Sequence, residues 1–210
     1  MHRIALDAMG GDGAPRVVIE GALSAVREWP NEFRVLLVGI PESLHSEFPS
    51  DMPDGIEIVP ATEVVEANES PVRAIRRKPD SSIVVGMGLL QQGSADAFIS
   101  AGSTGAVMAA SRLFLGMVPG VERPTVGTMF PTAGSPVLVV DAGANIETRP
   151  YHLLQFAHLG SVYMRDLLAL EAPRVGLLNV GEEASKGDAR TVATHRLLQE
   201  DGELNFVGNI

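Results

Sequence analysis

Along the 210 residues, short apolar runs alternate with longer stretches of helical spacing, and loops of small residues separate them. Arg3–Asp7, Phe33–Val38, Ile56–Val59 and Ala97–Ser100 are short and apolar enough for buried strands. Apolar residues at helical spacing predict helices from Pro15 to about Glu28, over Glu42–Phe48, from Ser70-Pro71 through Lys78, over Ile83–Gln92 and from Ala106 onward. Pro15 suits the first helical position. Ser81-Ser82 and Thr104 suit the caps of the helices that follow them. Pro49–Gly55 and Pro60–Ser70 read as loops. Further on, Thr125–Phe130 and Pro136–Val140 flank the turn Pro131–Ser135, a spacing that predicts an antiparallel hairpin. Pro150 opens a long helix to about Leu170, Arg174–Val180 is a strand, Ala189–Gln199 a helix and Leu204–Val207 a last strand.

Strands alternating with helices predict βαβ units and an α/β fold, with a mostly parallel sheet covered on both faces. No linker or internal repeat interrupts the pattern, so residues 1–210 read as one domain. The last strand lacks a helix to cover it, which is the pattern of a chain truncated at its C-terminal end.

Composition narrows the function. The 26 acidic and 16 basic side chains give a formal charge of −10, which disfavours nucleic acid as a partner. An acidic protein still binds small anions where oriented N–H groups converge. Cysteine is absent, so the chain holds no thiol nucleophile, disulfide or iron–sulfur cluster. The five histidines show no metal spacing, and His152 and His158 fall on different helix faces. No metal and no cofactor is expected. The N-terminus enters a strand at once and no apolar stretch is long enough to span a bilayer, which suggests a cytoplasmic protein.

Four loops share one grammar, an apolar strand followed by small residues with an acid or an amide. They are Asp7–Gly13, Gly102–Gly105, Asp141–Asn145 and Asn179–Gly187. In an open α/β sheet the carboxyl ends of parallel strands bind ligands. A strand feeding a helix through Ala101-Gly102-Ser103-Thr104-Gly105 points free N–H groups and a helix dipole at whatever sits above, which suits phosphate or carboxylate. Capping alone would also account for the Thr104 hydroxyl. The Gly-x-Gly-x-x-Gly, P-loop and Gly-x-Ser-x-Gly patterns are all missing, so dinucleotide binding, a P-loop nucleotidase and a serine hydrolase are disfavoured. Arg73, Arg76, Arg77 and Lys78 form one dense basic run, either a solvated face or a dock for an acidic partner. Lys186, among Glu182, Glu183 and Asp188, is either a surface lysine or a cation for an oxyanion.

Taken in order, these motifs identify a family. Ile4-Ala5-Leu6-Asp7-Ala8-Met9-Gly10-Gly11-Asp12-Gly13-Ala14-Pro15 closely resembles the opening of the bacterial acyl-carrier-protein:phosphate acyltransferases of phospholipid synthesis, the PlsX family. Pro71–Lys78, Ile99–Ala106, Asp141–Asn145, His152–Ala157, Gly160–Tyr163, Pro173–Glu183, Ser185–Gly187 and Asn205–Ile210 agree as well. The resemblance implies a Rossmann-like, three-layer α/β/α sandwich. It implies attack of inorganic phosphate on the thioester of acyl-carrier protein, giving acyl phosphate and free carrier. It also implies a homodimer at the inner face of the cell membrane that supplies a glycerol-3-phosphate acyltransferase. Lys186 matches the lysine the family uses on phosphate. Gly10, Gly11 and Gly102–Gly105 would position the phosphate, and Asp7, Asp12, Asp141, Asn145 and Asn179 belong to the same loops. Two departures stand out: Ser103 where family members carry Asn, and a family sequence that continues well past Ile210. Acetyl transfer between coenzyme A and phosphate, or a non-catalytic anion- or carrier-binding module, are the competing readings.

Overall fold

The computed structural model describes residues 1–48 and 52–210, so residues 49–51 of the expected Pro49–Gly55 loop lie outside the described residues. The chain forms two compact units, Met1–Gly116 and Met117–Ile210.

The first unit is built on a four-stranded parallel sheet. Its strands are β1 (His2–Asp7), β2 (Phe33–Gly39), β3 (Ile56–Pro60) and β4 (Ala97–Ile99), in the spatial order β3-β2-β1-β4. Strand β2 explains the layering. Its run Val35-Leu36-Leu37-Val38 is buried throughout, and alternate residues enter different clusters on the two faces. Val35 and Leu37 pack with Ile19, Ala22 and Leu23 of helix α1 (Arg16–Glu28) and Leu44 of helix α2 (Pro41–Glu47). Leu36 and Val38 meet Val85 and Leu89 of helix α4 (Ser82–Gln91), which lies on the other face. A strand buried on both faces has no polar alternation to show, which is why its sequence reads as continuous.

Helix α4 carries no charged residue because it is itself covered. Its Ile83, Val84 and Met87 pack with Ile75 of helix α3 (Pro71–Arg77) and with Ala106 and Ala110 of helix α5 (Thr104–Phe114). An all-round apolar helix belongs between layers. Gly86 leaves the space on α4 that the Phe98 ring occupies.

Several boundaries differ from expectation. Pro15 is the N-cap of α1 rather than its first residue. Ser81 precedes α4, but its hydroxyl donates to the Lys78 carbonyl at 2.9 Å instead of capping the helix.

The second unit contains the expected antiparallel hairpin, β5 (Gly127–Phe130) with β6 (Val137–Val140), as a two-stranded sheet of its own. The parallel pair β7 (Arg174–Leu177) and β8 (Asn205–Asn209) is separate from it. Helix α6 (Pro150–Leu168) packs on β6 and on α7 (Ala189–Glu200), and Gly160 makes room for Val140. Among the described residues, no helix is long and apolar enough to cross a membrane.

Candidate active-site loops

In the first unit two glycine loops lie back to back, and a buried carboxylate joins them. Asp7 ends β1 at 1% exposure. Its Oδ1 accepts the Met9 amide at 3.0 Å, which turns the chain into the loop. Its Oδ2 accepts the Ser100 hydroxyl at 2.6 Å, and Ser100 Oγ in turn accepts the Gly102 amide at 3.0 Å. Residues 93 apart in sequence thereby fix the relation of one loop to the other.

The glycines permit that approach. A Cβ placed on Gly10 would lie 2.5 Å from Asp7 Oδ2 and 2.7 Å from the Gly102 nitrogen. Gly11 has φ +92°, which side chains rarely adopt, and faces Ala101. Gly105 serves a different end. A Cβ there would sit 2.8 Å from Pro71 Cγ, so this glycine lets α3 close on the start of α5.

The cap of α5 is Ser103, not Thr104. Ser103 Oγ accepts the Ala106 amide at 3.3 Å, while Thr104 is the first helical residue and is exposed. The amides of Thr104 and Gly105 have no carbonyl one turn back to bond, as at any helix start. They and the dipole of α5 make the end of this loop locally positive. Asp12 is exposed on the outer part of the first loop.

In the second unit Asp141 plays a comparable part with other means. Its Oδ1 accepts Thr125 Oγ1 at 3.1 Å, Val126 N at 3.4 Å and Ala144 N at 3.1 Å. Its Oδ2 accepts the backbone amide of Asn145 at 2.8 Å and its Nδ2 at 3.1 Å. Asn145 Nδ2 also donates to the Pro124 carbonyl at 3.0 Å. Burial pushes the Asp141 carboxyl up, but the hydrogen bonds from Asn145, Val126 and Ala144 outweigh it and leave the group below the usual carboxylate range. Asp141 and Asn145 thus hold their loop to the segment leading into β5.

Asn179 and Lys186 belong to one further loop. Asn179 Oδ1 accepts the Val180 amide at 2.8 Å and its Nδ2 donates to the Lys186 carbonyl at 3.1 Å. The loop bordered by Asn179, Gly187, Asp188 and Thr191 faces an open depression of about 480 Å³. Lys186 is exposed and, among the described residues, makes no ion pair with its acidic neighbours.

The basic run divides. Lys78 turns inward, where its Nζ donates to the Val64 carbonyl at 2.6 Å and to Glu69 at 2.5 Å. That ammonium is the first cause holding the Glu69 carboxyl below its usual range. Arg73, Arg76 and Arg77 remain exposed.

Five residues hold roles that the sequence reading did not assign. Ser100 was hidden as the last residue of a strand pattern, although Ser-x-Gly is the spacing of a hydroxyl that accepts the amide two residues on. Glu122 and His152 pair at 3.0 Å, and His152 Nδ1 accepts the Arg149 amide at 3.1 Å, so the histidine caps α6. Asn209 Nδ2 donates to the Glu183 carbonyl at 2.8 Å, which turns its Oδ1 to His195 Nδ1 at 2.9 Å. The histidine contact requires the proton on Nδ1, and the bond to Glu183 anchors the Lys186 loop to β8. Such pairings are set by tertiary contact and leave no local pattern.

The geometry can be set beside known proteins. A phosphate acyltransferase of Desulfitobacterium hafniense (strain Y51) is 48% identical over 211 residues, covering 100% of this chain and 62% of that protein. One of Nostoc punctiforme is 50% identical over 210 residues, covering 99% of this chain and 61% of that protein. The chain therefore spans about three-fifths of the length of these relatives. Among solved structures, the EutD phosphotransacetylase from Staphylococcus aureus superposes with a TM-score of 0.66 at 18% identity, over 100% of this chain and 68% of that one. A branched-chain phosphotransacylase from Enterococcus faecalis V583 gives 0.62 at 12% identity, over 97% and 66%. These likenesses show the mixed α/β phosphotransacylase fold, with its mostly parallel sheet and additional hairpin. Residues 2–210 match the family described as fatty acid synthesis protein, and the chain belongs to it.

Proposed function

We propose that the full-length protein transfers an acyl group from acyl-carrier protein to inorganic phosphate, releasing acyl phosphate and the free carrier thiol. The observation that carries this reading is the pair of glycine loops joined through Asp7, Ser100 and Gly102 beside the open amides of α5. The phosphate acyltransferase names of its relatives supply the chemistry.

Phosphate is the nucleophile, so the reaction needs neither a serine elbow nor a thiol. One phosphate oxygen attacks the thioester carbonyl carbon, the carbonyl oxygen takes up charge, and the C–S bond breaks as the thiolate leaves and is protonated. Gly10, Gly11 and Gly102–Gly105 hold the anion, and Ser103, Thr104 and the first amides of α5 direct donors at it. Orienting two reactants is worth about 7–11 kcal/mol of barrier, and one preorganised donor about 2.7–4 kcal/mol. Lys186 is assigned to offsetting charge on the reacting oxygens. Asp7, Asp12, Asp141, Asn145 and Asn179 are assigned to holding loop geometry. The acyl phosphate would serve a glycerol-3-phosphate acyltransferase, with the enzyme working as a homodimer.

Thiol release from acyl-carrier protein, with acyl phosphate trapped by hydroxylamine, tests the reading on the full-length protein. Release that does not depend on added phosphate overturns it, and a preference for a coenzyme A thioester moves it to acetyl transfer. Lys186→Ala should lower kcat by roughly a hundredfold, the scale for loss of one charge-stabilising donor, with an unchanged melting temperature. An unchanged rate removes Lys186 from the mechanism.

A further inference from the structure

Helices α3 and α5 meet at their N-terminal ends, where Pro71 fills the space left by Gly105. One turn further on the buried Ile75 keeps them packed together, and the surface above it is open. Val72, Ile75 and Arg76 of α3 then face Ala109, Arg112 and Leu113 of α5 across an open groove of about 370 Å³. Each helix contributes positions i, i+3 and i+4, the face a neighbouring helix would meet. That face is only partly covered, since Val72 is 54% and Leu113 59% exposed.

The charge of this surface runs against the rest of the molecule. The chain carries a formal charge of −10. Helix α3 (PVRAIRR) nevertheless has three arginines and α5 (TGAVMAASRLF) one, 3 + 1 = 4, and neither has an acid. Among the described residues, Arg76 and Arg112 form no salt bridge. Complementing the negative ends of two helices accounts for arginines near those ends. It does not account for an apolar floor between them.

We infer that the α3–α5 groove docks an acidic amphipathic helix of the acyl-carrier protein. The inference rests on the acyl-carrier reading above and gives that partner a place. Val72, Ala109 and Leu113 receive the apolar face of the helix over the buried Ile75, and Arg76 and Arg112 meet its carboxylates on either side. Helix-in-groove binding with a charged rim has this composition. The groove also lies along the helix whose first residues form the anion loop. From Thr104 to Leu113 the rise along α5 is roughly 14 Å, a span that a thioester on a flexible arm can cover. An acyl chain is the poorer occupant, because this groove is open along its length and edged by two guanidinium groups.

The test uses the full-length protein with Arg76→Glu and Arg112→Glu combined. Both side chains are exposed, so the fold should survive the change. Affinity for labelled acyl-carrier protein, read by fluorescence anisotropy, should fall at least about tenfold, and its dependence on ionic strength should largely vanish. KM for the carrier thioester should rise in parallel, while KM for the same acyl group on a small protein-free thiol should stay within about twofold. Leu113→Ser, which keeps every charge, should weaken carrier binding about threefold to fivefold through lost apolar contact. Unchanged carrier affinity in the double variant overturns the docking site while wild-type turnover leaves the activity intact. Arginine-dependent binding without acyl phosphate formation supports the docking site and overturns the activity. A shift in acyl-length preference with the protein-free thioester marks the groove as a chain site and overturns the inference. So does a change in oligomeric state on Leu113→Ser with carrier affinity retained.

Discussion

Two aspartates follow or end two strands, and each holds a loop by different physics. Asp7 is almost fully buried, accepts one amide and one hydroxyl, and relies on glycine backbones packed directly against it. Asp141 is only half-buried and accepts five hydrogen bonds, from Thr125, Val126, Ala144 and both the backbone and side chain of Asn145. The first arrangement is dry and tolerates no added atom. The second is wetter, and water can replace part of what a substitution removes. One is defined by packing, the other by the number of donors.

The contrast predicts a graded series. Gly10→Ala should be the most damaging, because its methyl would meet the Asp7 carboxylate and the Gly102 backbone, neither of which can yield. A loss of about 3 kcal/mol, the upper end for overpacking, should appear in urea unfolding of the full-length protein. A loss below 1 kcal/mol would show that the loops can move apart. Ser100→Ala comes next. It strands Asp7 Oδ2 and the Gly102 amide without their shared hydroxyl, and should cost about 2 kcal/mol.

Asp141→Asn should cost least, about 1 kcal/mol near neutral pH, since its donors can turn to water. Its signature is the pH dependence. A carboxyl depressed in the folded state adds stability that is complete above its unfolded value of about 4 and fades as pH falls through the folded value. Wild type and Asp141→Asn should therefore converge in stability as pH drops below about 4. A gap that persists at low pH would mean that shape rather than charge holds that loop.

How much of this the sequence discloses depends on the range of the interaction. Strand β2 is legible because consecutive apolar residues answer to burial on both faces. The hairpin is legible because its turn residues sit between two apolar runs. Prolines and caps are less secure. Pro15 stands one place before its helix, and Ser103 caps α5 where Thr104 was expected, because adjacent hydroxyls look alike until the backbone shows which precedes the first turn. Lys78 reads as part of a basic face, yet it is drawn inward by Glu69 and the Val64 carbonyl. Gly105 reads as room for a ligand, and its space is taken by Pro71. The partners of Asp7, His152 and His195 lie 93, 30 and 14 residues away. No local spacing records them.

The order β3-β2-β1-β4 has a consequence for synthesis. Strand β1 is central, and one of its neighbours is the last strand of its unit to be made. Strands β1 to β3 are complete once Pro60 is made, but β4 is complete only 39 residues later, 99 − 60 = 39. At ordinary rates of chain elongation that interval is roughly 2–8 s. Throughout it one edge of β1 has no partner, and Asp7 has no Ser100. The nascent chain thus presents an apolar edge strand just when such edges invite mispairing. The Gly102–Gly105 loop is among the last features of the first unit to take shape, and a ribosome paused before Phe98 would hold a sheet without it.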